Sequence, residues 1–283
     1  MSHKYSRGKY IPDTLTKALV LSIDSSVFLY DDNILNTFLL TYDNWIKSTK
    51  NNHIIGLDNF THKCYSLGTT ESFNFFYMRN ATKRFRCFKN EYRYHSIVWG
   101  SGLDYAFIED FPLSVGDALV LSIPFADSGN EYAYSYLLKK CCELNIPVLL
   151  DCCWFGTCSD ITFDFNYSCI TDIVFSLSKT FPISHARVGM RYTKTKYLDG
   201  LQSYNDAAMI NRIGAGLGIS LLNTFTPDYI YDKYKYNQKK LCEQLKVTAS
   251  NVVSLAIGDS TWGHLNRGGT YNRLCIADEL CNI

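Results

Sequence analysis

The stretch Val174-Phe-Ser-Leu-Ser-Lys-Thr-Phe181 leads within a few residues to Ala186-Arg-Val-Gly189. An apolar run passes into alternating serines and then Lys179, and Arg187 follows eight residues later. Twenty-eight residues before the lysine, Asp151 closes another apolar run, Ile146-Pro-Val-Leu-Leu150. Each group has a distinct chemistry. An amine can form a Schiff base with an aldehyde, and a buried carboxylate can keep a ring nitrogen protonated. An arginine fork suits a phosphate dianion.

Outward from this stretch, short apolar runs alternate with amphipathic ones. Segments 61–66, 118–123, 148–150, 173–176 and 188–192 read as strands, and 31–47, 72–79, 131–144 and 229–245 as helices. Strands without polar alternation, separated by helices, predict an α/β fold whose largely parallel sheet is covered on both faces. Ligand-binding groups then fall past the C-terminal strand ends, where Gly68, Pro124, Asp151 and Ser176 stand. The flanks predict a smaller second unit formed by both termini, 1–48 with 228–283, around a large unit of 49–227.

Composition limits the functional classes. The 283 residues are 47% hydrophobic and 19% charged with a net charge of +1, which offers no general attraction to nucleic acid or to an anionic membrane. No apolar run is long enough to span a bilayer. The basic start, Met1-Ser-His-Lys-Tyr-Ser-Arg-Gly-Lys9, has no apolar stretch behind it, so no signal peptide is expected and the cytoplasm is the expected location. Eleven cysteines, an odd number, are expected to be reduced thiols. Adjacent pairs such as Cys141-Cys142 and Cys152-Cys153 do not have the spacing of a zinc site, and no metal is expected.

The segment from about residue 65 to 192 resembles the large domain of the fold-type I aminotransferases, the class I/II group around aspartate aminotransferase. Ser176-Leu-Ser-Lys-Thr-Phe181 with His185-Ala-Arg-Val-Gly189 is similar to that family's Ser-x-Ser-Lys…Arg-x-Gly motif. The resemblance implies the PLP-transferase fold type I with a reduced small α+β domain, and pyridoxal 5′-phosphate (PLP) as cofactor. It implies a Schiff base on Lys179, with Asp151 on the pyridine nitrogen and Ser176, Ser178 and Arg187 toward the phosphate. Gly68-Thr69-Thr70 resembles the family's phosphate-binding turn at a helix start. Tyr92 matches the aromatic that stacks on the ring, with Tyr94 a close rival. Arg273 resembles the arginine that grips the substrate α-carboxylate, although a structural salt bridge would place an arginine there too. Tyr30 falls where relatives carry a tyrosine reaching the neighbouring subunit's phosphate.

Two departures stand out. The family's Asn-Pro-x-Gly appears as Ala126-Asp-Ser-Gly129, and the tyrosine expected three residues after the aspartate is Trp154, whose indole N–H donates but does not titrate. The chain is also markedly shorter than a usual member, with the deficit expected toward the C-terminus. The resemblance implies an aminotransferase acting on an amino donor and a keto acid acceptor, and a homodimer. A decarboxylase or lyase on the same fold, or a degenerate homologue that binds PLP without turnover, stays open. Gly214-Ala-Gly-Leu-Gly218 echoes a dinucleotide fingerprint, but it follows 207–212, which reads as helical. The fingerprint needs a strand there, so a loop or a close helix contact is expected.

Overall fold

The computed structural model describes residues 5–283; residues 1–4, where the basic N-terminus read above begins, lie outside the described residues. A seven-stranded sheet forms the centre, in the spatial order His62–Ser66, Gly189–Thr193, Ile170–Ser176, Val148–Asp151, Asp117–Ser122, Arg84–Cys87, Tyr105–Phe107. Neighbours are parallel except where Gly189–Thr193 pairs antiparallel with both of its partners. A largely parallel sheet was expected, with no direction assigned to that strand. It runs the other way because residues 177–188 turn straight back after Ser176 without a crossover helix. The same reversal places Lys179 and Arg187 on one loop beside the C-terminal ends of the parallel strands.

Why the strands read as unbroken apolar runs is visible in the two cores. Ala118, Val120, Leu149 and Val174 face a cluster with Phe73, Phe76, Tyr77, Phe85 and Trp99. Their neighbours Leu119, Leu121, Leu150, Ile173 and Phe175 face the larger cluster on the other side. Alternate side chains therefore enter different cores, and neither set meets water. The sequence reading did not foresee the strands Arg84–Cys87 and Tyr105–Phe107. Each is short, and the first carries two arginines. Fully buried Arg86 is held by Asp117 at 2.7 Å and by the carbonyls of Ala106 and Phe107, so the fold satisfies charges that the pattern reads as loop.

An antiparallel sheet of Thr248–Ala249, Leu255–Gly258 and Asn272–Cys275 lies with the helix Tyr229–Leu245. Tyr5 joins its edge, its carbonyl accepting from the Cys275 amide at 2.7 Å. The helix Ile34–Lys47 packs on the helix Arg212–Thr224 and on the strand His62–Ser66, with Phe38, Tyr42, Trp45 and Ile46 in the larger core.

Residues 207–211 are turn, contrary to the helix expected there, and Gly214-Ala-Gly-Leu-Gly218 lies inside the helix Arg212–Thr224. Those glycines serve packing: a Cβ on Gly216 would lie 2.1 Å from the Phe28 ring. The helix expected over 131–144 begins only at Ser135. All eleven cysteines are free thiols. Among the described residues no helix is long and apolar enough to cross a membrane.

Candidate active site

At the C-terminal ends of the parallel strands lies a cavity of about 650 Å3. Thr69, Thr70, Tyr92, Asp151, Trp154, Ser176, Ser178, Lys179, Arg187 and Arg273 all line it, drawn from segments far apart in sequence. Gly68 stands directly behind this lining, at the start of the helix Gly68–Arg79. Tyr30 is 87% exposed and does not reach the cavity.

Around Arg187 the chain leaves no room for side chains. Gly68 has φ +71°, and a Cβ there would lie 2.6 Å from Arg187 Nη2. A Cβ on Gly189 would come within 2.9 Å of the Gly68 Cα. Arg187 itself is left-handed at φ +55°, a conformation that costs a non-glycine residue roughly 1 kcal/mol or more. Its Nη2 donates to Thr70 Oγ1 at 2.9 Å and to the Leu67 carbonyl at 3.3 Å. Among the described residues no carboxylate pairs with it. Ser176 Oγ and Ser178 Oγ lie 2.9 Å apart on the same wall. An unpaired guanidinium, two hydroxyls and a helix N-terminus converge, a donor set made for an anion.

Asp151 ends its strand 2% exposed and accepts from the Cys153 amide at 3.1 Å. Burial pushes its carboxyl up to about 7, against the pull of Lys179. A cation placed on this carboxylate would relieve that cost. Lys179 Nζ donates to the Gly8 carbonyl and stands 5.2 Å from the Trp154 ring centroid. Tyr92 lines the cavity, while Tyr94 stacks behind it at 5.8 Å with its hydroxyl on Asn74.

Several cavity residues escaped the sequence reading. Segment 6–10 crosses the cavity, and Gly8 lies so close to Trp154 that a Cβ would meet the indole at 2.8 Å. Glu91 does not line the cavity but is buried behind its wall, where it accepts from the Ser122 amide at 3.0 Å and from Ser122 Oγ, and burial pushes it up to about 7. Ser122 is the register partner of Asp151. Arg267 Nη2 donates to the carbonyls of Asn90 at 2.8 Å and Ala126 at 3.0 Å, and lies 3.5 Å from Asp127. Arg273 Nη1 donates to the same Ala126 carbonyl. Burial, then the nearby Arg267, lowers the Arg273 guanidinium to about 10. Only Arg267 carried any local signal, standing six residues before Arg273.

No protein-family model matches the sequence, and no curated protein matches it. Solved structures do. The histidinol-phosphate aminotransferase of Clostridium acetobutylicum superposes with a TM-score of 0.67 at 18% identity, over 98% of this chain and 94% of that one. The N-succinyldiaminopimelate aminotransferase of Mycobacterium tuberculosis gives 0.73 at 10% identity, over 99% and 90%. The aromatic aminotransferase of Pyrococcus horikoshii gives 0.72 at 14%, over 99% and 91%. The correspondence runs through both flanks as well as the sheet. The chain has the α/β fold of the fold-type I aminotransferases, as the sequence predicted.

Proposed function

We propose that this chain is a PLP-dependent aminotransferase, moving an amino group between an amino acid or amine and a keto acid. One observation carries the reading: Lys179, Asp151 and Arg187, from one strand end and one return loop, line a single cavity in a fold shared with solved aminotransferases. The donor set fits the cofactor. Arg187, Thr69, Thr70, Ser176 and Ser178 would hold the phosphate, and Gly68 and Gly189 provide the close backbone approach that this cradle needs. Asp151 would hold the pyridine nitrogen, and Tyr92 and Trp154 would flank the ring.

When bound, PLP supplies an aldehyde for an amine and a ring that withdraws electrons from the substrate Cα. The chain does the rest. Among the described residues Lys179 Nζ is the only lysine amine besides Lys9 on the cavity wall, and Lys9 is paired with Asp278. Lys179 is therefore the residue to anchor the aldehyde and, once displaced, to take the Cα proton and return it. Asp151 would hold the ring-nitrogen proton in place. Segment 6–10 lines the cavity and meets Lys179 through the Gly8 carbonyl.

Ala126 and Trp154, in place of an asparagine and a tyrosine, favour a second reading in which the cofactor is bound and turnover is weak or absent. A homodimer is part of the proposal, supported by exposed Leu21, Val27, Leu29 and Tyr30 near the N-terminus. A cytoplasmic location is proposed from the eleven free thiols.

The test is to add PLP to purified protein, record the visible absorption, reduce with borohydride and locate the label by mass spectrometry. The expected result is a visible band and a label on Lys179, followed by transfer of a labelled amino group to a keto acid. Absence of uptake, or a label elsewhere, would remove the proposal. Uptake and labelling without transfer would select the second reading, and carbon dioxide release without an acceptor would select a decarboxylase.

A further inference from the structure

Two thiols meet at the end of the sheet remote from the cavity. Cys142 stands in the last turn of the helix Ser135–Glu143, and Cys169 directly precedes the strand Ile170–Ser176. Cys169 Sγ donates to the Leu138 carbonyl at 3.4 Å, one helical turn before Cys142. The two thiols are hydrogen-bonded to each other. The sheet anchors one side of this contact, because the Cys169 carbonyl accepts from the Val148 amide at 2.9 Å.

The two sulfurs have different surroundings. Cys169 is 7% exposed, whereas Cys142 is only partly buried. A turn over residues 167–170, closed by the Ile170 amide on the Tyr167 carbonyl at 3.2 Å, aims the amides of Ser168 and Cys169 and the Ser168 hydroxyl at Cys142 Sγ. Lys194 Nζ donates to the Tyr167 carbonyl at 2.9 Å, which brings a cation to the same turn. Donors and a positive charge around a reachable sulfur stabilise its thiolate. Partial burial works against them, yet the Ser168 hydroxyl, the two amides and the Cys169 thiol hold Cys142 below the ordinary thiol value. Burial pushes Cys141 up to about 12, and pushes Cys169 up as well. One sulfur is thus disposed to react first, with a neutral thiol in contact behind it. That is the arrangement of an attacking and a resolving cysteine.

We propose that Cys142 and Cys169 are a modification site, a thiol pair that a peroxide converts to a disulfide. The Cys142 thiolate attacks one peroxide oxygen, the O–O bond breaks, and the other oxygen leaves as water with the proton the thiol gave up. The Cys169 sulfur then attacks the sulfenic acid on Cys142. The S–S bond forms, the S–O bond breaks, and a second water leaves with the Cys169 proton. In all, the two thiols lose two electrons and two protons, and the peroxide takes them up. Neither cysteine lines the cavity, so the bridge leaves it open. Its effect is on stability: it closes the chain from 142 to 169 around the strand that carries Asp151, and so restricts the unfolded state. A small thiol reverses it by exchange. None of this rests on the aminotransferase reading.

The test uses the whole protein, reduced and freed of reductant, then treated with a small excess of hydrogen peroxide. Remaining thiols are alkylated and the chain is cut at its aspartates and glutamates, which separates Cys142 from Cys169 and both from Cys152, Cys153 and Cys158. Mass spectrometry without reduction should find the Cys142 and Cys169 segments cross-linked. The melting temperature should rise by about 5 °C, and dithiothreitol should reverse both changes. Cys142→Ser should lose the cross-link and Cys141→Ser should keep it, each variant melting like wild type when reduced. In Cys169→Ser the sulfenic acid has no resolving thiol, and dimedone should label Cys142. Oxidised wild type without this cross-link overturns the proposal. So does a cross-link that survives in Cys142→Ser, or dimedone on a different cysteine in Cys169→Ser.

Discussion

Lys179 Nζ donates to the carbonyl of Gly8, 171 positions earlier in the chain. Segment 6–10 is thereby tied to the one residue on which the proposed chemistry turns. Gly8 is held between that amine and the Trp154 indole, where a Cβ would lie 2.8 and 2.9 Å from two ring carbons. Gly8→Ala is expected to push the segment off the cavity. Hydrogen exchange at residues 6–10 should rise with little change in the melting temperature, because the central sheet is untouched. Unchanged exchange would show that the indole yields and the segment stays.

Arg187 combines a strained backbone with an unpaired charge. Arg187→Gly relieves the φ of +55° and removes the guanidinium. The protein without cofactor should melt no lower than wild type, while its affinity for PLP falls by roughly 10- to 100-fold, the value of one or two charge-assisted hydrogen bonds. A titration of both proteins with PLP, beside their melting curves, checks both halves. A lower melting temperature with intact affinity would mean that Arg187 is a structural residue.

Glu91 gives a pH dependence with a definite sign. Burial raises its carboxyl to about 7, above the value it has in the unfolded chain. Between those two values the folded protein keeps a proton that the unfolded chain has lost. This contribution to stability is fully present below the unfolded pKa and fades as pH rises through about 7. Glu91→Gln is neutral throughout. On going from about pH 4.5 to 7.5 the variant should lose less stability than wild type, by up to about 3 kcal/mol. Urea unfolding of both proteins at the two pH values reads the difference, and parallel losses would contradict it.

Asp199 closes a buried network whose removal should be costly. It accepts from Arg191 Nη2 at 3.1 Å and from Arg79 at 2.9 Å, and Arg79 also holds Asp172 at 2.7 Å. Arg191 is 1% exposed. Asp199→Ala leaves that guanidinium buried without its carboxylate, a change worth about 3–5 kcal/mol, or roughly 10 °C in melting temperature. A loss under 1 kcal/mol would mean that Asp172 takes over as partner.

The sequence by itself determined the sheet's inner strands and the composition of the proposed site. Runs such as 118–123 and 148–150 are apolar on both faces, and only a sheet covered on both sides buries both. The Ser-Leu-Ser-Lys step, Asp151 and Gly68-Thr-Thr70 stand at strand and helix ends, where local rules alone place a ligand. Tertiary structure decided what such rules do not encode. Arg86 sits in a strand because Asp117, from the next strand, compensates its charge. The direction of Gly189–Thr193 follows from a loop that packs without a crossover. Gly8 and Arg267 reach the cavity, and Glu91 reaches Ser122 on its wall, from segments whose own patterns carry no period or motif. They meet Lys179, Ser122 and Arg273 only once the chain has folded, since contacts across long sequence separations follow from packing and not from neighbouring residues.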